Sequence, residues 1–522
     1  MSWRSTRATG GAGQDVRQVA VIDLGSNSWR LVVYMFSPGD WWKLTDEIFE
    51  TVRISAGLAQ TGRLSDAGMG RGIETLAVFA RFCEAHGLGA DDVHAVATSA
   101  IRDATNGAGF LKAARAASGL NIEVISDEEE ARFGYVAAIN SSTMTDGVVL
   151  ETGGGSIQLI EVADRRAKSL RSFPLGAVRV TEELLPGPGP AKKKDLQRVR
   201  AHVREALSGY DGLAAGGDRI VGMGGAVRNL AAAAQRIDDQ PDIGVQGFVI
   251  TREMLAELVQ TLAALPADER GDVPGIKVGR GDIILASALV IETVVELGSF
   301  DGIEVTEGSL RDGVFLAREF LAGVDPPLFD DVRRAGVRNL ATQYESDLPH
   351  VEHVALLSSQ MFDSLANAGL FEPKPGEREL LWAAAMLHDV GMTISYDDHH
   401  KHSYYLIVSA GLPGFDPRER ALIAQITRYH RKGAPKLGEL AALADADDEE
   451  LLERCSVILR LAEHLERGRD QSVREARLRA NGHGVDLHLE AGGDLTLPRW
   501  SVERYGDGEA FQRVFGRRLL IG

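Results

Sequence analysis

Two short segments combine a carboxylate with a run of small residues, and this combination could bind phosphate. Residues 23–28 read Asp-Leu-Gly-Ser-Asn-Ser and residues 151–156 read Glu-Thr-Gly-Gly-Gly-Ser, each directly after an apolar run. A glycine-rich turn can bring backbone N–H groups close to an anion, because no Cβ stands in the way. A carboxylate at a strand end can hold a metal ion or its water. Two such turns facing each other would clamp a phosphate between two carboxylates.

The same residues also have a simpler interpretation. Either turn could close a β-hairpin, and either carboxylate could accept N–H bonds within its own turn. The paired occurrence, with strand, carboxylate and hydroxyl in the same order, favours phosphate binding. The predicted phosphate-binding residues are Asp23, Gly25, Ser26, Asn27, Ser28, Gly153, Gly154, Gly155 and Ser156, and the predicted metal ligands are Asp23 and Glu151.

Two further features could complete a phosphate site. A third strand-to-glycine turn at residues 220–225 opens a helix, which adds Gly224 and Gly225 to the predicted phosphate contacts. Arg102 lies at a predicted strand end beside Ser99 and could donate two N–H bonds to phosphate oxygens. A surface ion pair is the alternative interpretation of Arg102.

A candidate base for activating water lies in the acidic run at residues 127–132. Acidic residues are common in a first helical turn because the helix dipole favours them, and this explains Glu128 and Glu129. Glu130 lies further into the helix, next to apolar residues, and is therefore predicted to point inward. The sequence makes Glu130 a candidate general base, with a structural role as the alternative.

The elements that must position these residues alternate between strands and helices until near Glu319. A second α/β unit repeats the opening pattern of strand, carboxylate, Gly/Ser turn and strand. From about Pro327 glycine becomes rarer, helical periodicity dominates, and eight of the thirteen histidines lie between His350 and His464. The predicted organisation is a disordered tail at 1–14, α/β lobes at 15–134 and 135–323, an all-α domain at 324–471 and a small α+β domain at 472–522.

The composition excludes several classes of protein. The net charge of −18 over 522 residues argues against a general nucleic-acid or DNA binder. No run of about 18 apolar residues exists, so no membrane span is predicted. Only Cys83 and Cys455 occur, which excludes a zinc site built from cysteines and fits a reducing cytoplasm, the predicted location.

With these residues in place, the chain resembles the exopolyphosphatase / guanosine pentaphosphate phosphohydrolase (Ppx/GppA) family. Besides the two turns, the matching stretches are residues 97–103, 125–126, 129–132, 172–177 and 308–313. The resemblance implies a two-lobed acetate kinase–actin–Hsp70-like (duplicated ribonuclease H-like) α/β fold. Residues 387–391 and 428–433 resemble signatures of an HD-like helical domain, which the long members of the family carry.

The resemblance implies Mg²⁺-dependent, processive removal of the terminal phosphate of inorganic polyphosphate, with K⁺ as a further candidate ion and a homodimer as the assembly. Glu130 matches the glutamate that activates water, and Arg102 matches the phosphate-binding arginine. The family usually has Asp where this chain has Glu151, and Glu where it has Gln158. The resemblance therefore assigns the catalytic set to Glu130, Arg102, Glu151 and Gln158, with two of the four altered.

In the helical domain, the resemblance implies two further sets of residues. His353, His388 and Asp389 resemble three ligands of a metal-dependent HD phosphohydrolase, and Glu463 resembles the fourth. The alternative is a domain without an active centre that lengthens a substrate channel. The predicted contacts along a polyphosphate channel are Lys401, His402, Arg428, His430, Arg431 and Lys432.

Three functions other than exopolyphosphatase also fit these residues. A guanosine pentaphosphate 5′-phosphohydrolase would use the same lobes. The second is a catalytically weakened regulator that binds polyphosphate or guanosine tetraphosphate, and the altered residues Glu151 and Gln158 favour it. A sugar kinase or ATPase of the same fold is less favoured, because no sugar-site motif is present.

Overall fold

A computed structural model describes residues 15–185, 187–215, 217–506 and 508–521. The predicted disordered tail at 1–14 lies outside the described residues. The chain forms two compact units. The first comprises the residues up to Ala234 together with Val249–Phe329, and the second comprises Gln235–Phe248 together with the residues from Asp330 onward.

The first sheet has five strands in the order β3-β2-β1-β4-β5. β1 pairs antiparallel with β2 and parallel with β4, while β3 continues the antiparallel side and β5 the parallel side. Its strands are β1 (Arg17–Leu24), β2 (Trp29–Ser37), β3 (Trp41–Glu50), β4 (Val93–Ala97) and β5 (Ile122–Val124).

The second sheet has six strands in the order β10-β11-β9-β6-β7-β8. β6 pairs antiparallel with β7 and parallel with β9, so β6 and its neighbours repeat the arrangement of β1, β2 and β4. This repeat confirms the predicted duplication of the α/β half. The strands are β6 (Gly147–Thr152), β7 (Ile157–Ala163), β8 (Arg166–Phe173), β9 (Ile220–Met223), β10 (Val249–Thr251) and β11 (Gly302–Val305).

The central strand β1 is buried on both faces, which explains its continuous apolar run. Successive side chains of a strand point to opposite faces. Val19 and Val21 accordingly join a core that includes Val149 and Ile160 of the second sheet, whereas Ala20 and Ile22 join a separate core of the first sheet. The two sheets thus share one of these cores, and both phosphate turns follow the central strand of a sheet.

Twelve α-helices accompany the two sheets among the described residues. They are α1 (Leu58–Thr61), α2 (Asp66–Ala85), α3 (Ser99–Asp103), α4 (Gly107–Ser118), α5 (Asp127–Ile139), α6 (Ala177–Leu184), α7 (Lys193–Ala206), α8 (Gly212–Ala215), α9 (Gly225–Ile237), α10 (Arg252–Ala264), α11 (Gly281–Leu297) and α12 (Leu310–Phe315). Helix α5 carries the predicted base. It packs against β6, β7, β8 and β9, so the predicted lobe boundary at 134/135 falls inside a helix that belongs to the second sheet.

The start of α5 explains its acidic residues. The Ser126 side chain accepts the N–H of Glu129 at 3.2 Å, and the Glu129 carboxylate accepts the N–H of Ser126 at 2.8 Å. This capping box confirms the structural interpretation of Glu129. One turn into the helix, Glu130 is buried, as predicted from its apolar neighbours.

The second unit is helical, as predicted, with a small sheet at its end. Its helices are α13 (Val332–Gln343), α14 (Leu348–Asn367), α15 (Glu377–Leu387), α16 (His399–Ala410), α17 (Pro417–Arg428), α18 (Asp448–Leu465), α19 (Thr496–Tyr505) and α20 (Gly508–Phe515). Strand β13 (Val485–Ala491) lies between β12 (Val473–Ala480) and β14 (Leu519–Ile521). Residues beyond 472 share one core with the helices, through Leu487 and Phe511, and so form no separate body.

Residues 235–248 join the second unit although they lie within the predicted second lobe. Ile243 packs with Ala421 and Leu440, and the backbone of Gly247 lies against Asp416. The sequence signal for this excursion is weak because the segment is short and polar. Among the described residues, no helix combines the length and apolarity needed to cross a membrane.

Candidate functional site

The first unit contains a polar cavity of about 120 Å³ where the three glycine turns meet. It brings together most of the residues predicted to bind phosphate, which come from elements far apart in the sequence. The predicted residues that line it are Asp23, Gly25, Ser26, Asn27, Ser28, Glu130, Glu151, Gly153, Gly154, Ser156, Gly224 and Gly225. Gly155 lies just outside it, against Ser26 and Ser99.

The first two turns face each other in direct contact. A Cβ on Gly154 would lie 2.9 Å from the Cβ of Ser26, and a Cβ on Gly155 would lie 2.6 Å from Ser99 Oγ. Ser26 Oγ and Ser99 Oγ are themselves 3.1 Å apart. Glycine is therefore favoured at 154, where a side chain would push the two turns apart, and at 155, where a side chain would meet the hydroxyl of Ser99.

The third turn completes the cavity from the second sheet. Gly224 has φ +103°, which favours glycine, and a Cβ there would also lie 2.5 Å from the carbonyl oxygen of Thr152. A Cβ on Gly225 would lie 2.3 Å from the Arg280 guanidinium. The missing side chains thus let the turn approach Thr152 and let Arg280 enter the cavity.

Three carboxylates share the cavity and oppose one another's ionisation. Burial raises the pKa of Asp23, although Arg311 lies 2.9 Å from its carboxylate and works in the other direction. Burial raises the pKa of Glu130 to about 7, against the effect of Arg102 at 3.1 Å. The pKa of Glu151 is raised well above its usual value by burial first, and then by Glu130 and Asp23. A bound cation would stabilise the ionised forms of all three.

The Glu151 side chain reaches helix α5 at a glycine. Its Oε2 atom is buried without a hydrogen-bond partner among the described residues. A Cβ on Gly134 would lie 2.2 Å from that oxygen, so the carboxylate occupies the space that a larger residue would fill. An unpartnered buried carboxylate oxygen close to two other carboxylates fits a divalent cation with oxygen ligands, such as Mg²⁺.

Gln158 lies directly opposite Glu151 in the β6–β7 pair but does not line the cavity. Its side-chain amide is buried and donates to Ser156 Oγ at 2.9 Å. The residue predicted as catalytic therefore contacts a hydroxyl of the second turn.

Arg102 is held by protein groups and is not among the residues lining the cavity. Its guanidinium donates to Glu130 at 3.1 Å, to the Ile125 carbonyl at 2.9 Å and to Asp127. In this arrangement Arg102 orients the carboxylate of Glu130, and the surface ion pair with Asp127 coexists with that contact.

Four other arginines line the cavity, and sequence reasoning missed them. They are Arg30, Arg228, Arg280 and Arg311. Burial lowers the pKa of Arg228 to about 10, and the neighbouring Arg311, Arg30 and Arg280 add to the effect. Arg311 lies within the matched stretch 308–313, and Arg228 follows the third turn by one helical turn, so both positions had a signal. The sequence contains no comparable signal for Arg30 and Arg280.

In the second unit, His350 rather than His353 lies beside His388 and Asp389. The ligand atoms of His350, His388 and Asp389 all lie within 4.8 Å of one another. His353 bonds instead to the Val473 carbonyl oxygen at 2.8 Å. The prediction of His353 was wrong. Both histidines lie on α14, one helical turn apart, and the HD-like signature does not show that strand β12 binds His353 and leaves His350 to face Asp389.

The residues predicted to line a polyphosphate channel occupy different environments within the second unit. His430 is buried and lies 3.1 Å from His399, away from solvent. Arg428 and Arg431 lie over tyrosine rings, at 5.0 Å from Tyr404 and 5.4 Å from Tyr396. Lys401 and Lys432 approach Asp398, and His402 is partly exposed on α16.

Comparison with known proteins places the chain among phosphatases. Residues 38–320 match the model of the Ppx/GppA phosphatase family, and residues 332–496 match that of Ppx/GppA phosphatase, domain III. A guanosine-5′-triphosphate,3′-diphosphate pyrophosphatase of Vibrio vulnificus is 30% identical over 487 residues, 90% of this chain and 92% of that protein. Its Aliivibrio fischeri counterpart is 29% identical over 461 residues, 87% of this chain and 88% of that one.

A solved structure supports the fold of a little over half of the chain. The crystal structure of an exopolyphosphatase from Cytophaga hutchinsonii has a TM-score of 0.53 at 22% identity, and covers 57% of this chain and 96% of that one. The two family models match residues in both units of the chain. The chain belongs to the Ppx/GppA phosphatase family.

Proposed function

We propose that this protein hydrolyses the terminal phosphoanhydride bond of inorganic polyphosphate and releases orthophosphate. The observation that carries the proposal is the pairing, in one cavity, of four arginines with three buried carboxylates. Arginine guanidinium groups match phosphate oxygens in geometry and charge. Mutually repelling arginines are stabilised by a polyanion, so a chain of consecutive phosphates suits this cavity.

Different residues of the cavity have different roles in phosphoryl transfer to water. The glycine turns present N–H groups to the terminal phosphate, and the arginines hold its charged oxygens. Glu130 has a pKa of about 7, which suits a group that takes a proton from the attacking water at neutral pH. Arg102 fixes the carboxylate through its 3.1 Å hydrogen bond.

Asp23 and Glu151 are the proposed ligands of Mg²⁺, supported by the unpartnered Glu151 oxygen and the raised pKa values. When bound, Mg²⁺ would neutralise charge on the phosphate oxygens as the anhydride bond breaks. The longer side chain of Glu151 moves this carboxylate by about one methylene relative to aspartate, and Gly134 provides the space for it.

A second candidate substrate is guanosine pentaphosphate. It is favoured by the names of the Vibrio and Aliivibrio relatives, which cover most of this chain. The two substrates share a terminal phosphoanhydride and differ in the purine. The aromatic ring lining the cavity is Phe49, which could stack on a base.

The experiment that separates these functions compares kcat/KM for orthophosphate release from long-chain polyphosphate and from guanosine pentaphosphate, in the presence of Mg²⁺. We expect polyphosphate to be the better substrate. A higher value for guanosine pentaphosphate would overturn the polyphosphate assignment, and a Phe49→Ala variant would then lose that activity selectively. No release from either substrate would leave a binding regulator as the function.

The space at Gly134 leads to a prediction with a built-in rescue. Gly134→Ala places a Cβ where Glu151 Oε2 now lies, and we expect a fall in kcat/KM of roughly 10-fold because the carboxylate is displaced. Adding Glu151→Asp shortens that side chain and should restore much of the loss. Gly70→Ala on α2, where a Cβ would meet nothing within 4 Å, is the matched control. Unchanged kinetics in Gly134→Ala would show that the position of Glu151 is unimportant.

A further inference from the structure

The second unit contains a buried cluster of metal-ligating side chains separate from the cavity of the first unit. Its members come from five elements and the loops next to them, and are His350, His388, Asp389, His399, His430 and Glu463. We propose that this cluster is a binding site for two divalent transition-metal ions, bridged by Asp389.

The distances fit two adjacent ions. On one side, His350 Nε2 and His388 Nε2 each lie 3.2 Å from Glu463 Oε2, and both approach Asp389. On the other side, His399 Nε2 lies 3.3 Å from Asp389 Oδ1 and 3.1 Å from His430 Nε2. Ligand atoms about 2.1 Å from one ion lie roughly 3 to 4 Å apart. Asp389 belongs to both groups and would bridge the two ions.

The hydrogen bonds of the histidine rings also fit metal binding. The Nδ1 atoms of three rings contact backbone carbonyl oxygens: His388 to Ala385 at 2.6 Å, His399 to Tyr396 at 2.9 Å and His430 to Thr427 at 2.7 Å. A ring that donates from Nδ1 presents the lone pair of Nε2, which is the form that ligates a metal. His399 and His430 then present lone pairs to each other at 3.1 Å, and a shared cation resolves that repulsion.

The group formed by His350, His388 and Glu463 contains buried polar atoms that make no regular hydrogen bond. His350 Nε2, His388 Nε2 and Glu463 Oε2 are buried, and both nitrogens lie 3.2 Å from the oxygen, but none of the three atoms makes a hydrogen bond of regular geometry among the described residues. The side chains of both histidines are at most 1% exposed. Buried polar groups normally have partners, and three such atoms that converge on one point fit a shared cation.

The ligand set selects the kind of ion. Four imidazoles and two carboxylates suit Zn²⁺, Mn²⁺, Fe²⁺ or Co²⁺, whereas Mg²⁺ prefers oxygen ligands. A cavity of about 300 Å³, lined by Asp347, Met392 and Arg469 among others, opens beside Asp389 and provides an entry path. Arg469 donates to Asp389 Oδ2 at 2.6 Å, which leaves Oδ1 to face His388 and His399.

The test measures bound metal directly on the full-length protein. The protein is stripped with a chelator, incubated with Mn²⁺ in an excess of Mg²⁺ that occupies oxygen-rich sites, desalted, and analysed by elemental mass spectrometry. We expect about two Mn²⁺ per chain and the spin-coupled resonance signal of a carboxylate-bridged pair. His399→Gln should reduce the content to about one ion and abolish the coupling, and Asp389→Asn should reduce both.

His402→Gln is the matched control, because it lies on the same helix and outside both groups of ligand atoms. Circular dichroism of each variant confirms that the fold is retained, and His399→Gln serves if Asp389→Asn fails to fold. Wild-type protein that retains no Mn²⁺, or retains the same amount as folded His399→Gln, would overturn the proposal. A single uncoupled ion would overturn the bridged pair.

Discussion

Replacing Glu130 by glutamine is expected to lower kcat/KM for orthophosphate release at least about 10²-fold, because the proton acceptor for the attacking water is lost. Glutamine keeps the shape of the side chain and can still accept the hydrogen bond from Arg102. Glu129→Gln is the matched control, since Glu129 caps the start of α5 and lies outside the cavity. Steady-state phosphate release, with circular dichroism of each variant, makes the measurement.

The pKa of Glu130 also sets the pH dependence of the wild-type rate. A general base works in its ionised form, and burial raises this pKa to about 7. The value of kcat/KM should therefore rise with pH and level off at or below about pH 7, because bound Mg²⁺ favours the ionised carboxylate, and the residual rate of Glu130→Gln should lack this rise. A wild-type profile that is flat from acidic to alkaline pH would contradict the assignment of Glu130 as the base.

Replacing Arg280 by glutamine is expected to lower kcat/KM by roughly 10²-fold, the effect of removing one preorganised donor from a charged transition state. Arg280 lies against Gly225 in the cavity, and its pKa is lowered by burial and then by Arg30 and Arg311. Within the described part of the chain, no carboxylate lies within ion-pair distance of Arg280. Its guanidinium is therefore available to a phosphate oxygen.

Removal of Arg280 should also leave the stability of the fold nearly unchanged, because no buried carboxylate loses its partner. Arg204→Gln, which breaks an exposed ion pair with Glu296, is the control for loss of one positive charge. Equal activity of the two variants would remove Arg280 from the substrate site. A drop in the unfolding temperature confined to Arg280→Gln would indicate a structural role instead.

The two phosphate turns were predictable from sequence because each is continuous. Residues 25–28 and 153–156 follow the central strands of two similarly ordered sheets, and the duplicated pattern is visible in the sequence itself. Glu130 was predictable for a similar reason, since its position one turn into a capped helix determines its direction. The positions of the two turns and the direction of Glu130 can therefore be predicted from the spacing of neighbouring residues.

The arginines of the cavity were not predictable in the same way. Arg30 is on β2, Arg228 on α9 and Arg280 at the start of α11, and no local spacing connects them. Their convergence depends on how the sheets and helices pack. Arg102 shows the opposite case, because its position was predicted while its carboxylate partners, Glu130 and Asp127, became visible only in the structure.

The same limit applies to the helical unit. His350 and His353 are one helical turn apart on α14, so the sequence could not decide which of them faces Asp389. The carbonyl oxygen of Val473 on β12, more than 100 residues away, holds His353. Residues 235–248 joined the second unit for a comparable reason, through contacts with α17 and its preceding loop that no local pattern encodes.

Orthophosphate release from long-chain polyphosphate is the decisive measurement, made on the wild-type protein in Mg²⁺ with Glu130→Gln assayed in parallel. We expect sustained release by the wild type, loss of that release when Mg²⁺ is chelated, and a residual rate at least about 10²-fold lower in Glu130→Gln. Release that is equal in the two proteins would contradict the assignment of this cavity as a phosphohydrolase site, and release that is absent from the wild type would contradict polyphosphate as its substrate.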